Sequence, residues 1–481
     1  MKNRFPQSLF YIFIGVILLG AIGVRLYKIS SPVADWHSWR QADTASVSYL
    51  YVRDGIDILY PRYFDVSSIQ TSYINLEGWR FVEFPFFNIA HAIGYKYVGA
   101  GYSFDEWGRL ISIASSVVTT FVLFLLGWRV IGRFGGLVAA FVYAFLPYNI
   151  FFTRVILPEP MGVMFAVLGL YFGVVYFDTF KKKYLIPTVI FFACALLMKP
   201  FFAFFAFPLV YMAWREYGII GILKQKVLLL SFSGVLIPFF VWRGWMNYET
   251  RFIGIPFFAW AFNGDGIRFR PSFWNWIFAE RIAKMILGMW GVVPLSVGFL
   301  YSIKKYPVIF FSALGMLCYL SLVATANVRH DYYQTMIVPA IALCVAAGVD
   351  WFISHAPFHK FATTVFVAFS MCMMILVGWY QIRDNYQVNH GEIIAAGEAV
   401  QKLTSEDSRV IAPYNGDTAF LYQTKRFGWP VVDRSIDEMI TLGADYFVSV
   451  NYDADTNNFM KLFKTVEKTN QYIILDLHER L

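Results

Sequence analysis

"SLFYIFIGVILLGAIGVRLY", Ser8 to Tyr27, decides what kind of molecule this is. It carries no charge before Arg25 and matches the ~20 residues a helix needs to cross the hydrocarbon core of a bilayer. Lys2 and Arg4 precede it, as in a secretory leader, but Arg25 and Lys28 follow where a leader would have small residues and a cleavage site. The stretch therefore reads as a retained membrane helix. Comparable runs recur at 107–128, 134–153, 160–177, 184–198, 201–214, 227–243, 283–301, 307–326, 335–353 and 361–380, while 84–99 reads as interfacial. The expectation is an all-α polytopic membrane protein of about 11 transmembrane helices. The chain, 58% hydrophobic, 20% aromatic and only 15% charged over 481 residues, falls outside the range of soluble domains.

The net charge of +8 does not point to nucleic acid, because much of it lies in short loops. Lys2/Arg4, Arg129/Arg133, Lys181/Lys182/Lys183, Arg215/Lys224/Lys226, Lys304/Lys305 and Lys360 form one set nearly free of acids, which the positive-inside rule places in the cytoplasm. An odd number of spans then puts residues 381–481 on the outer side. The four cysteines, Cys194, Cys318, Cys344 and Cys372, lie inside apolar runs without metal-site spacing and read as small buried hydrophobes.

The chain divides by sequence into a membrane region, 1–380, with a first outer loop at 28–106, and a C-terminal region, 381–481, of different character. That tail reads as helix 392–403, strand "SRVIAPY", helix 417–424, strand "RFGWPVV", helix 435–442, strand "DYFVSVNYD", helix 458–468 and strand "QYIILDL". Alternation of this kind predicts a small α/β domain. It holds no dinucleotide fingerprint, P-loop or nucleophile elbow, so its expected role is stability or acceptor docking.

The charge is concentrated just after the first span. "ADWHSWRQADTASVSYLYVRDGIDILYP", Ala34 to Pro61, predicts a helix from near Ser38 to Val52, ended by Asp54-Gly55. On it Asp43 lies one turn beyond Arg40, with His37 one turn before and Asp35 just upstream. Glu83 sits in the apolar "RFVEFPFFN", Arg154 and Glu159 flank an interrupted helix end in "RVILPEP", and Lys199 joins two apolar helices in "MKP". "NGDGIRFRPSFWNWIF" adds Arg268 and Arg270, and "NVRHDYYQ" adds His330 and Tyr333. One such residue alone reads as a structural ion pair. Several at span ends on the same side read as a functional site, because ionisable groups at that depth are costly. Acids combined with bases at the outer membrane edge suit glycosyl transfer from a lipid-linked sugar phosphate. A carboxylate takes the acceptor's proton while cations hold the departing phosphate.

As a set, "HSWRQADTA", "DGIDILYPR", "EFPFFN", "RVILPEP", "MKP" and "HDYYQTMIVPAIAL" resemble the GT-C glycosyltransferases of the protein-mannosyltransferase and aminoarabinose-transferase type, over roughly residues 5–380. The resemblance implies a GT-C fold in the bacterial cytoplasmic membrane and a polyprenyl-phosphate sugar donor. It also implies an acceptor that is a lipid, glycan or protein, and inverting transfer on the outer face. Where relatives carry a first-loop Asp-Glu pair this chain has Arg40, so Asp43 takes the role of base, with Asp35 as the alternative. Glu83 and Glu159 complete the acidic set; Lys199, Arg154, Arg268, Arg270, His330 and Tyr333 are expected at the donor phosphate; His37 and Arg40 support the first loop. No cofactor is expected to be obligatory, although Asp43 and Glu159 leave a divalent metal such as Mg or Mn open. The rival reading is a transporter or flippase of lipid-linked sugars. Against it stand the lack of an internal repeat and the charge gathered on one face.

Overall fold

The computed structural model describes residues 7–249, 254–357 and 359–481. Lys2 and Arg4, counted above among the basic flanks, lie outside the described residues. The protein is mostly helical with a small sheet, and it divides into two compact units. Among the described residues six helical stretches are long and apolar enough to cross a membrane: Ser8–Arg25, Phe104–Val130, Glu159–Thr179, Lys226–Tyr248, Asp331–His355 and Lys360–Leu403. Arg133–Phe145 and Pro307–Leu322 are shorter apolar helices.

The first unit comprises Met1–Tyr27, Leu110–Trp245 and Gly254–Arg383. Proline shortens several of its helices relative to the apolar runs. The run at 134–153 is two helices, Arg133–Phe145 and Pro147–Phe152, because Pro147 lacks the N–H that would continue the first and suits the opening turn of the second. Pro200 likewise separates Leu185–Met198 from Phe207–Ile222 through a tight turn at Pro200–Ala206. Backbone reversal at Gly288 (φ 49) and Met289 (φ 61) separates Trp276–Ile286 from Val292–Lys305. Val292–Lys305 and Val338–His355 meet along small residues. A methyl group added at Gly298 would lie 1.8 Å from the Cys344 carbonyl oxygen, and one at Gly348 would lie 1.9 Å from that of Pro294. Without a hydrophobic drive between helices in lipid, such close backbone approach supplies the packing.

The second unit comprises Lys28–Arg109, Met246–Ile253 and Asp384–Leu481. It is drawn together by packing rather than by a cut at residue 380. Its sheet is built from β1 (Val410–Ile411), β2 (Gly428–Trp429), β3 (Tyr446–Ser449), β4 (Phe463–Lys468) and β5 (Ile473–Arg480), in the order β2-β1-β3-β5-β4. β1 is parallel to β2 and β3, and β5 is antiparallel to β3 and β4. The first-loop segment extends it: Asp65 bridges Gly428, Val66 N–H donates to the Gly428 carbonyl at 2.9 Å and Gly428 N–H to that of Phe64 at 2.9 Å. Ile411, Trp429, Phe447, Phe463, Ile473 and Leu475 form its core together with Val66 of the loop.

The expected helix at 458–468 is absent. Residues Ala454–Phe459 are helical, and Phe463–Lys468 is β4, paired with β5 across a turn in which Thr469 N–H donates to the Tyr472 carbonyl at 2.9 Å. Read locally, the segment suggests a helix, and it is the partner strand that decides. The other predicted elements of this region are present, though the strands are short. The first-loop helix runs Ser38–Asp54.

Candidate active site

In the first unit the residues at helix ends gather around one ion pair. Glu159 opens the helix Glu159–Thr179 behind Pro158, and Lys199 stands just past the C-terminus of Leu185–Met198. Each charge thus sits at the helix end whose dipole favours it. The two side chains form a salt bridge, with 1% and 8% of their surfaces exposed. The Lys199 ammonium also lies 4.6 Å from the ring centre of Tyr333 and 5.8 Å from that of Tyr332, within cation–π range. His330 stacks on both tyrosines at 5.5 and 6.1 Å. The turn carrying them is pinned by Tyr148, whose hydroxyl donates to the Asp331 carbonyl at 2.6 Å, and by Tyr319, which donates to that of Tyr333 at 3.2 Å. Arg281 lies 3.8 Å from the Asp331 carboxylate.

The other cations named from the sequence are employed differently. Arg154 is buried and donates to the Tyr27 carbonyl at 3.2 Å. Arg268 donates to the carbonyls of Ser321, Leu322 and Phe262 at 2.6, 2.7 and 2.8 Å, closing the C-terminus of Pro307–Leu322. Its guanidinium serves the backbone and is a poor candidate for the phosphate. Arg270 is exposed at the start of the short helix Pro271–Asn275.

In the second unit the helix Ser38–Asp54 turns a polar face inward, burying Ser38, Arg40, Gln41, Asp43, Thr44, Ser46 and Ser48. Asp43 is 1% exposed. Its Oδ2 lies 2.9 Å from an Arg80 guanidinium nitrogen and accepts from the Gln70 amide at 3.1 Å, while its Oδ1 accepts from the Thr418 hydroxyl at 2.7 Å. Arg40, expected beneath Asp43, pairs with Glu83 instead. Neighbours one turn apart on a helix gain only a few tenths of a kcal/mol, so partners that the fold delivers into a buried setting win. Asp35 accepts from the Gln41 amide at 2.5 Å and lies 3.7 Å from Arg109. His37 takes a left-handed backbone (φ 56) ahead of the helix, its ring against Trp36.

Burial and charge crowding mark the surroundings of Asp43. The Asp65 carboxyl is pushed up to about 6 by burial, against the Ser67 N–H it accepts at 2.8 Å. Asp417 is likewise pushed up to about 6, by burial and then by the nearby Asp43. Sequence reasoning missed Arg80, Gln70 and Thr418. Arg80 carried a faint signal, as a cation in the aromatic "GWRFVEFPFF"; Gln70 and Thr418 carried none.

The surroundings of Asp43 do not fit a divalent cation, since hydrogen-bond donors from Gln70 and Thr418 engage its two oxygens and the Arg80 guanidinium already neutralises it. Glu159 is bonded to a lysine, whose charge opposes a second cation. Among the described residues no group of three His, Cys, Asp or Glu side chains is placed to hold a metal ion.

Helices of this order, with a small sheet in the C-terminal region, are similar in fold to solved structures of ArnT and of an archaeal oligosaccharyltransferase. A family model for dolichyl-phosphate-mannose-protein mannosyltransferase matches residues 101–245. The structure of ArnT from Cupriavidus metallidurans bound to undecaprenyl phosphate is similar over 98% of both chains, with a TM-score of 0.68 at 12% identity. The oligosaccharyltransferase AglB from Archaeoglobus fulgidus, in complex with an inhibitory peptide and a dolichol-phosphate, is similar over 93% of this chain and 70% of that one, with a TM-score of 0.57 at 11% identity. The same archaeal enzyme in complex with Zn and sulfate covers 91% and 67%, with a TM-score of 0.59 at 12% identity. No curated protein sequence matches the chain.

Proposed function

We propose that this protein is an inverting glycosyltransferase that moves a hexosyl or pentosyl group from a polyprenyl-phosphate carrier to a hydroxyl of a lipid, glycan or protein acceptor. The observation that carries the reading is the end-to-end likeness of fold to an enzyme captured with undecaprenyl phosphate. Identity of 12% transfers no residue roles, so these rest on the chemistry of this chain. Lys199 neutralises the phosphate as the bond from its oxygen to the anomeric carbon breaks, with His330 and Tyr333 shaping its surroundings. A preorganised cation of this kind acts where charge grows in the transition state. Glu159 keeps Lys199 oriented, and Arg270, whose side chain is exposed, serves as a second cation for the phosphate. Arg154 and Arg268 hold backbone.

Asp43 takes the proton of the acceptor hydroxyl as its oxygen attacks. The Thr418 hydroxyl takes one lone-pair direction of Asp43 Oδ1 and the Gln70 amide one of Oδ2, with Arg80 ion-paired beside Oδ2, so Oδ1 keeps a second lone pair for that hydroxyl. Glu83 with Arg40, and Asp35 with Gln41, brace the helix that carries it.

The enzyme works in the bacterial cytoplasmic membrane with about eleven spans, residues 381–481 outside. Incubating the purified protein with polyprenyl-phosphate sugars and an envelope-lipid acceptor should release free polyprenyl phosphate and a product heavier by one glycosyl unit. Movement of intact lipid-linked sugar across vesicles without that release would instead identify a flippase.

A further inference from the structure

We propose that Thr418, supplied by the C-terminal α/β segment, is a positioning residue for Asp43; this rests on the reading of Asp43 as the base. The two residues stand 375 positions apart in sequence, yet the Thr418 hydroxyl donates to Asp43 Oδ1 at 2.7 Å. It also lies 3.1 Å from the Trp39 carbonyl, but a hydroxyl has one proton, and the shorter contact to an ionised acceptor takes it. With 4% and 1% of their surfaces exposed, neither side chain has bulk water as a substitute partner.

Thr418 is itself held firmly. It opens the helix Thr418–Thr424, whose cap Asp417 accepts from the Ala419 N–H at 2.7 Å, directly after Asn415 (φ 54) and Gly416 (φ 78) turn the chain back from β1. The hydroxyl acts on Oδ1, the oxygen that neither Gln70 nor Arg80 holds. Arg80 and Gln70 fix Oδ2, but a carboxylate held at one oxygen can still swing about it. A donor on Oδ1 stops that swing and aims the remaining lone pair. Catalytic groups must be held to within about 10–20° of the productive angle, so the loss should appear in turnover rather than in donor binding. The C-terminal segment thereby takes part in the chemistry, beyond stability or docking.

The test uses the full-length protein in detergent or vesicles with a polyprenyl-phosphate sugar. Thr418→Val keeps the shape and removes the donor; Thr418→Ser keeps the donor. Thr418→Val should lower kcat about tenfold or more, the scale of a lost hydrogen bond to a charged group, with the donor KM within about twofold. Thr418→Ser should recover most of it. Wild-type kcat in Thr418→Val, or equal loss in the Val and Ser variants, overturns the proposal. If Thr418→Val does not accumulate, Thr418→Ala replaces it under the same criterion of rescue by Ser. Asp43→Asn in parallel separates the two claims. An active Asp43→Asn removes the base itself, whereas an inactive one beside a fully active Thr418→Val removes only the positioning role.

Discussion

At the scale of single residues, two buried ion pairs, Asp43 with Arg80 and Lys199 with Glu159, each give a sharp prediction. Asp43→Asn keeps the shape and the Thr418 bond while removing basicity, so transfer should be abolished with donor-lipid binding retained. Asp35→Asn should be much milder, since Asp35 is tied to Gln41 at the helix entry. Turnover and donor binding measured together decide, and a dead Asp35→Asn beside an active Asp43→Asn would move the base to Asp35. Lys199→Ala should cost about two orders of magnitude in rate, the loss typical of one preorganised charge-stabilising donor. It also strands Glu159 in a buried setting, a defect of about 3–5 kcal/mol, so a melting measurement must accompany the kinetics. Lys199→Arg should stay folded and regain part of the rate. These acids and bases were legible in sequence because ionisable residues stand out in an apolar chain. Their pairing was not: Arg40 is the sequence neighbour of Asp43, but Arg80 is its partner.

At the scale of elements, the apolar runs marked helical regions, but the breaks at Pro147 and at Gly288–Met289 emerged only in the structure. The small-residue seam between Val292–Lys305 and Val338–His355 has a direct consequence. Gly298→Val would drive a methyl group into the Cys344 carbonyl, so the helices must part. Folded protein recovered after detergent extraction should fall severely, whereas Ile303→Val on the exposed part of the same helix should be silent. Size-exclusion profiles of the two variants compare them directly. The β4 segment marks the limit of local reading, since Phe463–Lys468 is a strand only because β5 is there to pair with it.

At the scale of the whole molecule, the asymmetry of the basic loops gives an orientation. Glu406→Cys, a position whose side chain is 65% exposed, should react with an impermeant maleimide on intact cells once Cys372 is replaced by Ser. Lys182→Cys in the basic loop should react only after permeabilisation. The reverse pattern would invert the membrane topology. By itself the sequence determined the membrane class, the mostly helical character of the chain and the α/β character of the tail. These follow from hydropathy, periodicity and the cost of burying charge, all local properties of the chain. Tertiary structure alone decided that residues 28–109 join residues 384–481 in one unit, that Arg80 and Thr418 flank Asp43, and that Arg268 bonds the carbonyls of Ser321, Leu322 and Phe262. Those outcomes depend on contacts between residues up to hundreds of positions apart. Such pairings are selected by burial and hydrogen-bond satisfaction in the folded chain, and no local pattern encodes them.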